Sequence, residues 1–326
     1  MNLENYYNPK NLPLKYKAAI FSSRACPLAC NFCDMFLVMG KKHRKRSVKT
    51  IVDEIEFLNK DLGVNYFSFM DDQLTLNRAH TIELCDEIIR RGLHKEVELA
   101  IQTRADNFVL QGGEEVVKKM RAAGFSHASF GMETGVQRLA DLTLKDETIE
   151  IHLEAIRLCQ KYDMKVSLGM IFGLPTETSR DRKTGFELIR SLPVTFTKFN
   201  SLIPYPGTPL YTDLIDSGRV IVEKDWANFN STLIFTTSIF DPTPLPYVPE
   251  TSSEWQLRRE IISYNLRSFL NFGTLMNILD HTRGMAWISL PKWWFVKPKE
   301  IKTNKIKIVK IKRILFFTKL DLHNKS

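Results

Sequence analysis

Between Lys17 and Ile203, short apolar runs alternate with amphipathic stretches of helical periodicity. Lys17–Ser23, Tyr66–Met70, Val97–Gln102, Phe125–Gly131, Val166–Ile171 and Thr197–Ile203 read as strands. Ser47 is placed to cap a helix carrying Val48, Ile51, Val52, Ile55, Leu58 and Leu62 on one face up to Gly63, and Asn77 to cap another ending at Gly92. Further helices are predicted over Val116–Ala123, about Thr148–Tyr162 and over Arg180–Ser191. Strands separated by such helices lie parallel, with right-handed crossovers, so the fold class is α/β. Polar motifs gather where the strands end: Asp71-Asp72-Gln73, Thr103-Arg104-Ala105-Asp106 and Met132-Glu133-Thr134-Gly135. A barrel places its active site at that rim. An open doubly wound sheet is the alternative, although no GxGxxG follows a strand.

The first strand runs into Arg-Ala-Cys-Pro-Leu-Ala-Cys-Asn-Phe-Cys, residues 24–33, with Cys26, Cys30 and Cys33 in a Cx3Cx2C spacing. Three thiolates on one short loop can wrap a soft metal centre. A structural zinc site wants four protein ligands, and no fourth Cys or His stands at ligand spacing, since His43 lies across a basic run. Iron–sulfur cubanes are also held by cysteine thiolates, normally four. Three therefore suit a cubane with one iron left open. The opposing reading, three unrelated core cysteines, fits poorly with so tight a cluster.

That spacing, with an aromatic residue before the last cysteine, resembles the signature of the radical S-adenosylmethionine (radical SAM) enzymes. Gly131-Met132-Glu133-Thr134-Gly135, Ile171–Thr178 (IFGLPTET) and Tyr205–Tyr211 (YPGTPLY) resemble the branch that includes cobalamin-binding enzymes of the anaerobic protoporphyrin ester cyclase type and methylthiotransferase and elongator-like relatives. Cobalamin members carry a whole domain before the cysteine loop, and only 25 residues precede Cys26, so the cobalamin domain is expected to be lacking. The resemblance implies a partial (β/α)6 TIM-like barrel over 1–215, a mainly helical extension over 216–291 and a basic tail over 292–326. It implies a 4Fe–4S cluster on Cys26, Cys30 and Cys33, with S-adenosylmethionine on its open iron. By the same likeness Phe32 lies beside the adenine, or else packs the loop onto the barrel. Asp72 occupies the strand-two position that binds the methionyl amino group; adjacent Asp71 points the other way. Arg104 pairs the methionyl carboxylate or else Asp106. Glu133 takes the ribose hydroxyls or the amino group, and Gly169, Ile171 and Gly173 flank the adenine. Glu177 is expected to cap the next helix. The implied activity is reductive cleavage of S-adenosylmethionine to a 5′-deoxyadenosyl radical that takes hydrogen from a substrate, with flavodoxin or ferredoxin as electron donor.

Composition assigns partners more than fold. The chain has 326 residues, 44% of them hydrophobic, and a net charge of +9. Residues 292–326 hold 11 Lys/Arg against Glu300 and Asp321, 11 − 2 = +9, so the other residues sum to zero. Trp293, Trp294 and Phe295 precede lysines interleaved with Ile, Val, Leu and Phe, the pattern of an interfacial membrane anchor. A small-molecule or lipid-like substrate and peripheral membrane contact are the partner readings. The alternatives are an RNA-modifying enzyme or RNA-binding module using the same tail, and a non-catalytic metal-binding protein on this fold. The run Lys41–Arg46 reads as a solvated loop. Cys85 and Cys159 fall in helical patterns as core thiols, so no disulfide scaffold is indicated and a reducing cytoplasm is the expected location.

Overall fold

The structure, a computed structural model, describes residues 16–110, 112–231 and 242–269. Six parallel strands form one sheet in sequence order: β1 (Tyr16–Ile20), β2 (Val64–Phe69), β3 (Glu98–Thr103), β4 (Phe125–Glu133), β5 (Lys165–Phe172) and β6 (Phe196–Ser201). Between them run α1 (Val48–Lys60), α2 (Arg78–Arg90), α3 (Gly113–Ala122), α4 (Ile149–Lys161) and α5 (Ser179–Arg190), followed by α6 (Pro209–Asp216) and α7 (Glu254–Phe269). A doubly wound sheet reverses its strand order at a switch point; this one never does. That uninterrupted order is the one expected of the half-barrel.

Local chemistry explains the element boundaries. Ser47 accepts from the Thr50 N–H, Asn77 from that of His80 and Thr148 from that of Ile151, each satisfying an orphan donor of the helix it opens. At α5 the cap is Thr178, in a capping box with Asp181, and not Glu177. Glu177 instead lies buried, accepting from Gly173 N–H at 2.5 Å and pairing Arg182 at 3.2 Å. Burial still pushes its carboxyl up to about 7. The basic run is exposed as expected, but part of it forms a ribbon. Arg44–Lys45 pairs antiparallel with Ser23–Arg24 directly after β1, and Arg46 meets Glu54 at 2.6 Å. Backbone pairing and that carboxylate fix the run's course while its side chains stay in water.

Burial alternates along the strands. Phe67 and Phe69, Leu99 and Ile101, Phe130 and Met132, and Val166, Leu168 and Met170 are buried in the apolar core. The opposite face carries Ala19, Ser68, Ala100, Ser129, Gly131, Ser167 and Gly169, and in register with them Gln102, His127, Lys165, Phe196 and Lys198. Closed (β/α)8 barrels fill their interiors with bulky branched side chains. Here that face mixes small residues with polar and longer ones instead. Toward the strand beginnings the lumen turns polar, with the Lys17 ammonium 4.9 Å over the Tyr66 ring and His127 Nε2 2.9 Å from Ser167 Oγ.

Helix α7 protects the far edge. Its Leu257, Ile261 and Tyr264 join the core, and Tyr264 stacks on Phe186 at 4.4 Å. Asn265 accepts from Phe199 N–H at 3.1 Å and donates to Phe199 C=O at 2.8 Å, standing in for a further strand beside β6. Replacing Asn265 by Leu strands both backbone groups in a buried site. The expected loss is about 2–4 kcal/mol of unfolding free energy, read by urea denaturation; a loss within error would show that Asn265 does not secure the edge.

Candidate active site at the cysteine loop

The cysteine loop leaves β1 through a turn fixed by the end of β2. Asp71 is buried and accepts from Ser22 N–H at 3.0 Å, Ser22 Oγ at 2.7 Å and Ser23 Oγ at 2.5 Å. Asp72 accepts from Ala25 N–H at 2.9 Å. Ala25 is fully buried with φ at +79°, a conformation that costs a non-glycine residue energy and persists only where its surroundings impose it. Both acids therefore hold the start of the loop, Asp72 through one of its two carboxylate oxygens.

Farther along, the loop is tied down on its other side. Asn31 N–H donates to Thr143 C=O at 3.1 Å, Asn31 Nδ2 to Leu142 C=O at 2.6 Å, and Leu210 N–H to Asn31 C=O at 3.0 Å. Phe32 packs on an apolar cluster built from Leu139, Leu174, Leu202, Leu210 and Tyr247, which Ile171 also touches. The three cysteines are free and half-buried. Burial pushes all three thiols up, Cys33 to about 11; the Lys145 ammonium and Arg104 guanidinium act against that rise at Cys30 and Cys26.

Lys145 is the residue that sequence reasoning missed. Its ammonium donates to Gly131 C=O and lies 3.1 Å from Glu133 Oε1 and 2.9 Å from Glu147 Oε2. Burial works against the charge, but the two carboxylates outweigh it and hold the pKa above the ordinary lysine range. Glu147 also accepts from Asp106 N–H at 2.9 Å. Arg104 pairs Asp106 at 2.7 Å and donates to Lys145 C=O at 2.7 Å, so its guanidinium braces the loop that carries the lysine. Glu133 ends β4 with φ at +62°. A Cβ on Gly131 would stand 2.3 Å from Glu133 Oε1 and 3.2 Å from Lys145 Nζ, so only glycine admits this pair. The signal for Lys145 was too weak to find: one lysine in a turn, with no periodicity and no motif around it.

The structure thus brings Cys26, Cys30, Cys33, Arg104 and Glu133 together, with Phe32 and Ile171 in one apolar cluster. Gly169 pairs in register with Gly131 across β4 and β5, and a Cβ there would approach nothing nearer than 3.9 Å. Gly173 follows β5 with φ at +92°. Its Cβ would meet Leu257 of α7 at 3.1 Å.

The donor set suits a cubane. Each thiolate of such a cluster binds a different iron, so its ligands need not crowd one ion. Among the described residues no three His, Cys, Asp or Glu side chains stand as ligands of a single metal ion, yet Cys33 senses the charge of both Cys26 and Cys30. Two buried cations beside three thiolates offset the negative charge such a cluster carries.

Comparison with known proteins agrees with this geometry. The radical SAM superfamily pattern matches residues 20–189. Over 246 residues the chain is 32% identical to an anaerobic magnesium-protoporphyrin IX monomethyl ester cyclase of Cereibacter sphaeroides, covering 75% of this chain and 38% of the relative. A hopanoid C-2 methylase of Rhodopseudomonas palustris is 25% identical over 200 residues, 61% of this chain and 38% of its own length. Among solved structures, the radical S-adenosylmethionine methyltransferase TsrM of Kitasatospora setae, with tryptophan substrate and a SAM analog bound, matches with a TM-score of 0.57 at 19% identity. It covers 87% of this chain and 52% of that one, and the likeness speaks for the fold. The chain spans 38% to 52% of the lengths of these proteins.

The ion network makes a prediction of its own. Lys145→Met removes the cation between two carboxylates, one of which, Glu147, is fully buried. Breaking a buried pair this way is expected to lower stability by about 3–5 kcal/mol in a denaturant titration. A loss below about 1 kcal/mol, the range of an exposed ion pair, would remove the network as a structural element.

Proposed function

This chain belongs to the radical SAM superfamily, and on that premise we propose that it acts on a bulky, largely apolar small molecule held in the half-barrel lumen. Members of the superfamily are enzymes that use a 4Fe–4S cluster and S-adenosylmethionine, act on small molecules and need a reductant. The observation that carries the proposal is the cysteine loop beside a buried Glu133–Lys145 pair at the strand-end rim. When bound, the cluster and S-adenosylmethionine supply one-electron C–S cleavage and hydrogen abstraction; the protein supplies binding and orientation.

Each residue then has a task. Cys26, Cys30 and Cys33 hold three irons. Glu133 offers a carboxylate to the α-ammonium of the methionyl group, and Lys145 offers an ammonium to its carboxylate. An amino acid zwitterion needs one group of each sign, side by side, in a site where water does not screen them. Phe32 and Ile171 give an apolar surface against which the adenine can lie. The small residues among those facing the lumen, Ala19 to Gly169, favour a bulky substrate, in keeping with the tetrapyrrole and hopanoid named for two relatives.

The test is anaerobic cluster reconstitution with dithionite and S-adenosylmethionine, assayed for 5′-deoxyadenosine. Parent protein is expected to form it, and Cys30→Ala to form none and to lose the brown chromophore. Glu133→Gln should keep the cluster but bind S-adenosylmethionine about tenfold more weakly, the effect of one charge-assisted contact. Full 5′-deoxyadenosine formation by Cys30→Ala would refute the cluster assignment, and unchanged affinity in Glu133→Gln would return that residue to a structural role.

The basic tail, residues 292–326, lies outside the described residues. Its 11 Lys/Arg and the aromatic run Trp293-Trp294-Phe295 favour attachment to an anionic membrane surface, at about 1 kcal/mol per cation near the leaflet. No helix among the described residues is long and apolar enough to cross a membrane. The full chain is expected to co-sediment with anionic vesicles at low salt and to be released at high salt, whereas a chain ending at Pro291 should stay in the supernatant. Equal sedimentation of the two would exclude the tail as the anchor.

A further inference from the structure

A cavity of about 400 Å³ opens along the β1 edge, apart from the cysteine site, within the size range of organic ligand sites. Its walls carry Arg24, Arg44, Lys45 and Arg46 against a single acid, Glu54. Glu54 is already taken by Arg46 at 2.6 Å. Arg44 donates only to main-chain carbonyls, those of Lys42 at 3.2 Å and Met39 at 3.1 Å. The Arg24 guanidinium lies 3.7 Å over the ring of Phe21, which leaves its N–H donors at the edge of the stack. Among the described residues neither Arg24 nor Arg44 has a carboxylate partner.

The backbone makes this arrangement unfavourable as it stands. Arg24 and Arg44 are direct cross-strand partners of the two-residue ribbon, so their side chains leave the same face. Like charges placed opposite one another destabilise an antiparallel pair. An anion between them replaces repulsion with charge-assisted hydrogen bonds, and a guanidinium matches carboxylate and phosphate oxygens in a bidentate manner. We propose that this cleft binds the phosphate or carboxylate group of an organic ligand, with Phe21 taking the apolar part next to it. Arg24 stands two residues before Cys26, so the bound group sits where β1 gives way to the cysteine loop. In that position it anchors the polar end of a substrate whose apolar body lies in the lumen. That anchoring role rests on the radical SAM reading, whereas the anion site itself does not.

The test is thermal unfolding of the full chain with and without pyrophosphate or citrate, for the parent, Arg44→Gln and Arg24→Gln. Anion binding to the folded state raises the melting temperature by mass action. Removing one guanidinium is expected to weaken the anion about tenfold and to shrink the shift accordingly in both variants. The basic tail is common to all three proteins, so its own anion binding cancels in the comparison. A response to pyrophosphate alone or to citrate alone supports the site and identifies its anion. Equal shifts in all three proteins, or no shift in the parent with either anion, overturns the proposal. Failure to form 5′-deoxyadenosine is read in a separate assay; it would remove the substrate role and leave the anion shift standing.

Discussion

Two adjacent carboxylates at the end of one strand decide where the chemistry can take place. Asp71 gathers the backbone and hydroxyl of Ser22 with the hydroxyl of Ser23, and Asp72 takes the N–H of Ala25. Together they impose a left-handed conformation on a fully buried alanine just ahead of Cys26. Without that turn the chain would leave β1 in another direction, and the three cysteines would not gather beside Arg104 and Lys145. Strain of this kind persists only where its surroundings over-determine it, here through hydrogen bonds to charged acceptors.

The opposite wall of the site is electrostatic. Lys145 is held by a carbonyl and two carboxylates, Arg104 by Asp106 and the Lys145 carbonyl, and Glu147 links both parts. Buried ions gain little net stability over an apolar core, yet each is costly to strand alone. The network therefore specifies positions more than it adds stability. It places one anion and one cation, both nearly buried, beside thiols whose pKa burial raises and the lysine partly lowers.

Much of the fold was legible because it follows from short-range rules. Apolar runs of strand length, caps at Ser47, Asn77 and Thr148, and terminal glycines at Gly63, Gly92 and Gly124 mark elements whose boundaries the structure moves by only a few residues. The clustering of the three cysteines was legible for the same reason: they lie on one loop. What depended on tertiary contact was not. Glu177 sits where a cap is plausible, but Thr178 has the geometry and Glu177 turns inward to Arg182. Arg104 takes Asp106, one of the two partners its position suggested, and the bond from Ala25 N–H to Asp72 follows from the turn rather than from any local pattern. Lys145 has no local pattern at all; its partners lie on β4 and in the turn before α4. The pairing of Arg24 with Arg44 likewise joins residues twenty positions apart that periodicity cannot connect.

The central claim is that the loop holds a cluster with one iron open to S-adenosylmethionine. Electron paramagnetic resonance of the dithionite-reduced, reconstituted protein addresses it directly. A cubane with an open iron should give a reduced-cluster signal whose g values shift when S-adenosylmethionine is added, because the ligand alters the environment of that iron. A signal unchanged by S-adenosylmethionine, or none from protein that has taken up zinc in place of iron, would contradict the account.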